Sequence, residues 1–110
     1  MQLSQEAGPD GTSTLTVSGE VDMSNSADLR AAGIAAASAP DRAGLAIDLS
    51  GVTFIDSSGL GALVAIRNAA SNASRTVTVV NPSDRARQVI DICGLSPEFG
   101  LSPAEPAPAD

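Results

Sequence analysis

Asp56, Ser57 and Ser58 stand together in TFIDSSGLGAL, the stretch from Thr53 to Leu63, where an acid and two hydroxyls follow an apolar run and precede two glycines. A serine at the start of a helix can accept a hydrogen bond from an orphan amide as an N-cap. It can also serve as a chemical handle, because a phosphoryl group placed there meets the positive end of the helix. The two roles are compatible, and Ser57 or Ser58 is expected to cap in either case. Asp22 and Asp56 are the acids nearest this chemistry in type and spacing; each is either a simple turn residue or a shaper of the loop that presents the serine. Gly59 and Gly61 are expected to let the helix start lie close to its neighbour while leaving the hydroxyl sterically open.

Other chemistries are excluded by what the chain lacks. It contains no His, and its six basic residues are all Arg. Without imidazole there is no Ser-His-Asp triad, and with Cys93 as the sole cysteine there is no ordinary zinc site and no internal disulfide. Without Lys there is neither a Schiff base nor a P-loop lysine, so the glycines of SSGLG do not form a Walker motif. Paired carboxylates could in principle hydrolyse a glycoside, but a small domain with 2% aromatic residues offers little cleft for a sugar. The chain is therefore expected not to be an enzyme and to need neither cofactor nor metal.

The whole-chain numbers agree. The 110 residues suffice for a single domain with one core, built mainly from Leu, Ile, Val and Ala. A formal charge of -7 opposes binding to nucleic acid or to anionic lipid. No run approaches the roughly 18 apolar residues of a spanning helix, and the N-terminus lacks the basic and apolar regions of a secretion signal, so a cytoplasmic location is expected.

The elements that must position the serines follow from periodicity. TSTLTVSGEVD places Leu15, Val17 and Val21 as the buried side of a strand, and QLSQEA can pair with it across the Gly8 to Gly11 turn. MSNSADLRAAGIAAASA reads as a helix with Ser and Asn at its start, slightly weakened by Gly33. Leu45, Ile47 and Leu49 recur at period two in a strand suited to the middle of a sheet. A helix follows from Ser57 with Leu60, Leu63 and Val64 on one face, then the strand RTVTVV. A third helix, capped within Asn81 to Ser83, aligns Ala86, Val89, Ile90 and Cys93, with Gly94 placed to end it. On that stripe Cys93 is expected to be a buried structural thiol. From Leu95 onward the proline content argues for an irregular segment, and the domain boundary is drawn as residues 1–99 followed by a flexible Pro/Ala-rich tail, 100–110. Strands alternating with helices imply an α/β fold, a mixed sheet with helices packed on it. The serines then lie at a strand-to-helix turn, where open α/β sheets commonly place their sites.

GEVD at Gly19 to Asp22, DLSGVTFIDSSGLGAL at Asp48 to Leu63 and SDRARQVIDICGL at Ser83 to Leu95 together resemble the anti-sigma factor antagonists of the STAS domain family. The Asp-Ser-Ser-Gly-Leu-Gly core is the specific part of the likeness. The resemblance implies a STAS-like sheet and a phosphorylation site on the serine directly after the aspartate, Ser57, with Ser58 as the second candidate. It implies a switch loop and partner-binding surface made of Asp22, Asp56, Ser57, Ser58, Gly59, Leu60 and Gly61. Its partners would be an anti-sigma factor with serine kinase activity and a serine phosphatase acting on phospho-Ser57. The unphosphorylated form would bind the anti-sigma factor and so release a sigma factor. At the C-terminus the sequence differs from the pattern, since relatives usually continue with another strand and an amphipathic helix. Two other classes share parts of these features: a STAS subunit of a membrane transport assembly or signalling scaffold, and a small nucleotide-binding switch or weak hydrolase. The Asp-Ser-Ser-Gly core favours the antagonist over the transport subunit, and the missing Lys and His count against the third class.

Overall fold

The computed structural model describes residues 1–8, 11–39 and 43–101. Pro9 and Asp10 of the expected turn, and the stretch 102–110 that makes up most of the expected tail, lie outside the described residues. Strand β1 (Gln2–Ala7) pairs antiparallel with β2 (Thr12–Val21), as expected for a hairpin. Helix α1 (Ser26–Ala37) then leads to β3 (Gly44–Ile55), α2 (Ser57–Asn72) to β4 (Thr76–Val80), and α3 (Asp84–Ile92) follows. The sheet order is β1-β2-β3-β4, with β2, β3 and β4 mutually parallel. Both crossovers step the same way across the sheet, so right-handed connections place α1 and α2 on one face.

That face is the core. Leu15, Val17 and Val21 of β2 and Leu45, Ile47 and Leu49 of β3 are buried as the alternation requires. Beyond Leu49 the buried residues of β3 are Val52 and Ile55, a spacing of three that a regular strand could not hold on one face. Irregular register resolves this: β3 takes two more residues than β2 to cover the stretch between the Thr16–Asp48 and Val21–Ile55 pairs, with shifts at Thr16/Ser18 and Gly19/Glu20. Gly19, at φ +86°, supplies the backbone conformation that the second shift needs. The strand ends that carry Asp22 and Asp56 are thereby brought into register, with Val21 opposite Ile55.

Helix α1 buries Leu29, Gly33, Ala36 and Ala37, a stripe of small residues that lets α2 come close. A Cβ on Gly33 would lie 2.2 Å from Ile66 Cδ1, so this glycine is a packing requirement more than a weakness of the helix. Helix α3 starts where β4 stops: the Ser83 amide donates to Leu49 O, and the Ser83 hydroxyl accepts from Ala86 N as the N-cap. It ends in a Schellman arrangement, with Gly94 at φ +71° donating to Asp91 O and Leu95 N donating to Ile90 O.

Two features differ from the sequence reading. Cys93 is exposed: α3 ends at Ile92, so Cys93 lies just past the helix, whose stripe stays covered as far as Ile90. The proline-containing segment after Leu95 is packed at its start: Pro97–Phe99 form a 3-10 turn and Phe99 is fully buried. Arg67 of α2 pairs with Glu98 at 2.8 Å, and Leu101 N donates to Ser96 O, with Leu101 half-buried against the core. Among the described residues no helix is long and apolar enough to cross a membrane.

Candidate functional site

The site is assembled from the ends of two adjacent parallel strands. The Asp56 amide donates to Val21 O at 3.2 Å, so the β2–α1 and β3–α2 connections are joined at their roots. Asp56 has extended backbone angles, and one of its carboxylate oxygens, Oδ1, accepts from the amides of Ser58 at 2.9 Å and Gly59 at 3.1 Å. The cap of α2 is therefore the aspartate, and neither serine fills that role. Three successive residues of capping type, Asp-Ser-Ser, cannot be ranked by type alone. Here β3 runs on to Ile55 and fixes the next residue, Asp56, as the flanking position.

The consequence for the serines is direct. Ser57 occupies the first turn of α2 and is exposed, and Ser58 beside it is half-buried. With the cap supplied by Asp56, no capping duty holds the Ser57 hydroxyl, and it sits on the positive end of a sixteen-residue helix. Gly59 and Leu60 are buried beneath it. A Cβ on Gly59 would fall 2.6 Å from Ile55 Cγ1 and 2.8 Å from Val21 Cγ1, so this glycine makes the expected close approach to its neighbours. Gly61 differs from that expectation: it is exposed, and a Cβ there would meet nothing within 4 Å.

The neighbouring connection is equally fixed. The Asp22 carboxylate accepts from the Ser24 amide at 2.9 Å and from the Ser24 hydroxyl. These hydrogen bonds, the hydroxyl first, hold its pKa below the ordinary carboxylate value. Asn25 binds on both sides, its Oδ1 accepting from the Asp22 amide and its Nδ2 donating to Glu20 O at 2.9 Å. Asp22 O in turn accepts from the amides of Asn25 and Ser26, which starts α1. The sequence reading took Ser24 and Asn25 as capping candidates for α1 without linking them to Asp22. Asn25 stands at the N-cap position but makes no side-chain cap bond, and both side chains serve the Asp22 turn. The Asp-x-Ser and Asx-turn chemistry of DMSN was the available signal. The sequence reading also missed Arg85, whose guanidinium carbon lies 5.7 Å from the centre of the Phe54 ring and ties α3 to the end of β3.

Asp22, Asp56, Ser57, Ser58, Gly59, Leu60 and Gly61 thus come together at one end of the sheet. Among the described residues no cluster of His, Cys, Asp or Glu could hold a metal ion. The arrangement commits the adjacent carboxylate, Asp56, through its Oδ1 to the Ser58 and Gly59 amides. It offers an exposed hydroxyl on a rigid, acid-flanked turn, suited to being modified and to being recognised.

The sequence matches the family model described as Mlab, STAS domain over residues 4–101. A solved anti-sigma factor antagonist from Mycobacterium paratuberculosis is 35% identical, with a TM-score of 0.78, over 94% of this chain and 86% of that one. The anti-sigma factor antagonist SpoIIAA in its unphosphorylated form is 22% identical, with a TM-score of 0.77, over 94% of this chain and 89% of that one. Its phosphorylated form, described as a Bacillus cell fate determinant, gives a TM-score of 0.71 at 22% identity, over 94% of this chain and 92% of that one. The murine Solute Carrier 26 family member A9 anion transporter also contains this fold: 22% identity and a TM-score of 0.70 over 86% of this chain and 16% of that one. A search of the curated proteins finds no match.

Proposed function

The chain belongs to the STAS domain family, and from that premise we propose that it is an anti-sigma factor antagonist switched off by phosphorylation of Ser57. The observation that carries this reading is the exposed Ser57 hydroxyl at the start of α2, with capping handled by Asp56. In this reading the unphosphorylated protein binds an anti-sigma factor that is also a serine kinase, and a sigma factor is released. The kinase transfers phosphate to Ser57 and ends the interaction; a serine phosphatase restores it. The protein is a kinase substrate, not an enzyme, and works in the cytoplasm without nucleic acid or membrane as partner.

Magnitudes support a switch that acts on binding and leaves folding intact. A phosphate adds about -1.5 to -2 charge, which a helix N-terminus favours by roughly 0.3–1 kcal/mol. Repulsion from Asp56 offsets part of this. At an interface, one partner carboxylate about 6 Å away opposes each unit of charge by about 3 kcal/mol at an effective dielectric near 20. That is roughly a hundredfold in affinity. Burying a hydrated dianion adds a desolvation cost of the same sign.

The test is incubation with the cognate kinase and ATP followed by mass spectrometry. A single phosphate on Ser57 is the expected result; phosphate confined to Ser58 or to the threonines of β2 would refute the assignment. A second reading, a STAS subunit of a membrane transport assembly, draws on the likeness to the anion transporter domain. It predicts co-purification with transporter subunits in place of a kinase.

A further inference from the structure

Two of the chain's six basic residues converge far from the candidate switch serine. Arg67 and Ser71 lie one turn apart on a single face of α2, and Arg75 follows just past the end of the helix. With Thr76 and Val77 at the start of β4 and Glu98 of the terminal turn, they line a cleft of about 180 Å³. At a rise of about 1.5 Å per residue, Ser71 lies roughly 20 Å along α2 from Ser57, so the cleft belongs to the opposite end of the sheet.

The backbone holds Arg75 in place. Ser74, at φ +59°, closes a Schellman turn in which its own amide donates to Ser71 O and the Arg75 amide donates to Ala70 O. These bonds also occupy carbonyls at the negative end of α2, which would otherwise oppose an anion there. The Arg75 guanidinium donates to Ala37 O at 3.2 Å, and among the described residues it meets no carboxylate. In a chain with 13 acidic residues, a half-buried arginine so placed is an exception.

Arg67, by contrast, is occupied from inside the chain. Its Nη2 lies 2.8 Å from Glu98 Oε2, and its Nε donates to Glu98 O at 3.2 Å. The protein thus supplies the cleft with one oxyanion of its own, which satisfies one guanidinium and leaves the other. A carboxylate carries a single charge. A phosphoryl group carries about -1.5 to -2 and three strong acceptor oxygens, enough for two guanidinium groups and the Ser71 hydroxyl. The small volume encloses such a group and little more.

We propose that this cleft binds the phosphate group of a small ligand between Arg67 and Arg75, with the Glu98 carboxylate as the internal occupant that the phosphate displaces. The site stands apart from Ser57 and does not depend on the functional reading above.

The experiment is a titration of the full chain with inorganic phosphate at constant ionic strength, followed by backbone amide chemical shifts, with melting curves for every variant. Glycerol 3-phosphate serves as the monoester probe and acetate as the carboxylate control. Saturable shifts at the Ser71, Arg75 and Thr76 amides are expected with phosphate, and acetate should bind at least about tenfold more weakly. Tighter binding of glycerol 3-phosphate than of phosphate would assign a phosphate monoester as the ligand, and the reverse order free phosphate. Arg75→Gln is expected to weaken phosphate binding at least about tenfold. Glu98→Gln should strengthen it about fivefold by removing the internal competitor, a gain that loss of a merely structural ion pair would not produce. If Arg75→Gln melts below the wild type through its lost Ala37 contact, Ser71→Asp is read in its place. That variant keeps both arginines, puts a carboxylate between them and should abolish binding at the wild-type Tm. The proposal is overturned if the wild type shows no saturable shift, if acetate binds as well as phosphate, or if Glu98→Gln brings no gain. Binding by the deciding cleft variant within about twofold of wild type overturns it equally.

Discussion

Replacing Asp56 by alanine should separate the two jobs done at the start of α2. The carboxylate satisfies the Ser58 and Gly59 amides at 2.9 and 3.1 Å, and Gly59 is buried, so its amide would be left without a ready partner. Loss of an N-cap costs about 0.5–2 kcal/mol, and removal of a negative charge from the helix N-terminus about 0.3–1 kcal/mol more. A total near 2 kcal/mol lowers Tm by about 10 °C in a domain of this size. Asp56→Asn keeps the accepting oxygen and should lose only the smaller, charge-dependent part. Ser58→Ala removes a hydroxyl that caps nothing and should shift Tm by no more than about 2 °C, within the range of an ordinary surface change. Thermal melts followed by circular dichroism, with urea titrations to place the differences at 25 °C, measure all three. The reasoning fails if Asp56→Ala melts within about 2 °C of wild type, or if Ser58→Ala falls as far as Asp56→Ala.

Further expectations concern the packing that holds this site. Gly33→Ala should destabilise by about 1–3 kcal/mol in urea titration, because its methyl would overlap the fully buried Ile66; an unchanged midpoint would show that α1 and α2 separate freely. Phe99→Ala should cost about 3–5 kcal/mol by the same measurement, whereas a chain ended after Leu101 should keep the wild-type Tm; the reverse pattern would contradict the packing of the last turn. Asp91 accepts from the Ser96 hydroxyl and from Arg87, and those bonds, Ser96 first, hold its carboxyl below its ordinary value of 3.8. A carboxyl whose folded pKa is depressed contributes stability that is full above the unfolded pKa and lost as pH falls through the folded one. Asp91→Asn should therefore flatten the acid side of the stability curve below about pH 4, and an unaltered curve there would count against the bond.

The order of elements was legible because it depends on apolar spacing over many residues. Leu15, Val17, Leu45, Ile47 and Leu49 declare their strands, and Asn81 to Ser83 declares the cap of α3. What escaped depends on single contacts across the chain. Gly33 looks like a flaw in an alanine-rich helix until Ile66, distant in sequence, is placed against it. Phe99 carries no periodicity, so a proline-bearing stretch hides one fully buried ring. Cys93 continues a helical pattern arithmetically, but Gly94 ends the helix and leaves the thiol in solvent. At the site, the Asp-Ser-Ser run announced a helix start with a presented hydroxyl. Which residue capped it depended on where β3 stopped pairing, a one-residue distinction that residue type does not encode.

The most direct test compares phosphorylated and unphosphorylated protein in binding to the cognate anti-sigma factor. Protein phosphorylated by its kinase, together with Ser57→Asp and Ser57→Ala, would be titrated by calorimetry, with Tm measured in parallel. The account predicts that Ser57→Ala binds like the wild type and accepts no phosphate. Ser57→Asp and the phosphorylated protein should bind about a hundredfold more weakly, with Tm within a few degrees of wild type. Equal affinity of the phosphorylated and unphosphorylated proteins would contradict the account and leave Ser57 as an exposed surface residue without a switching role.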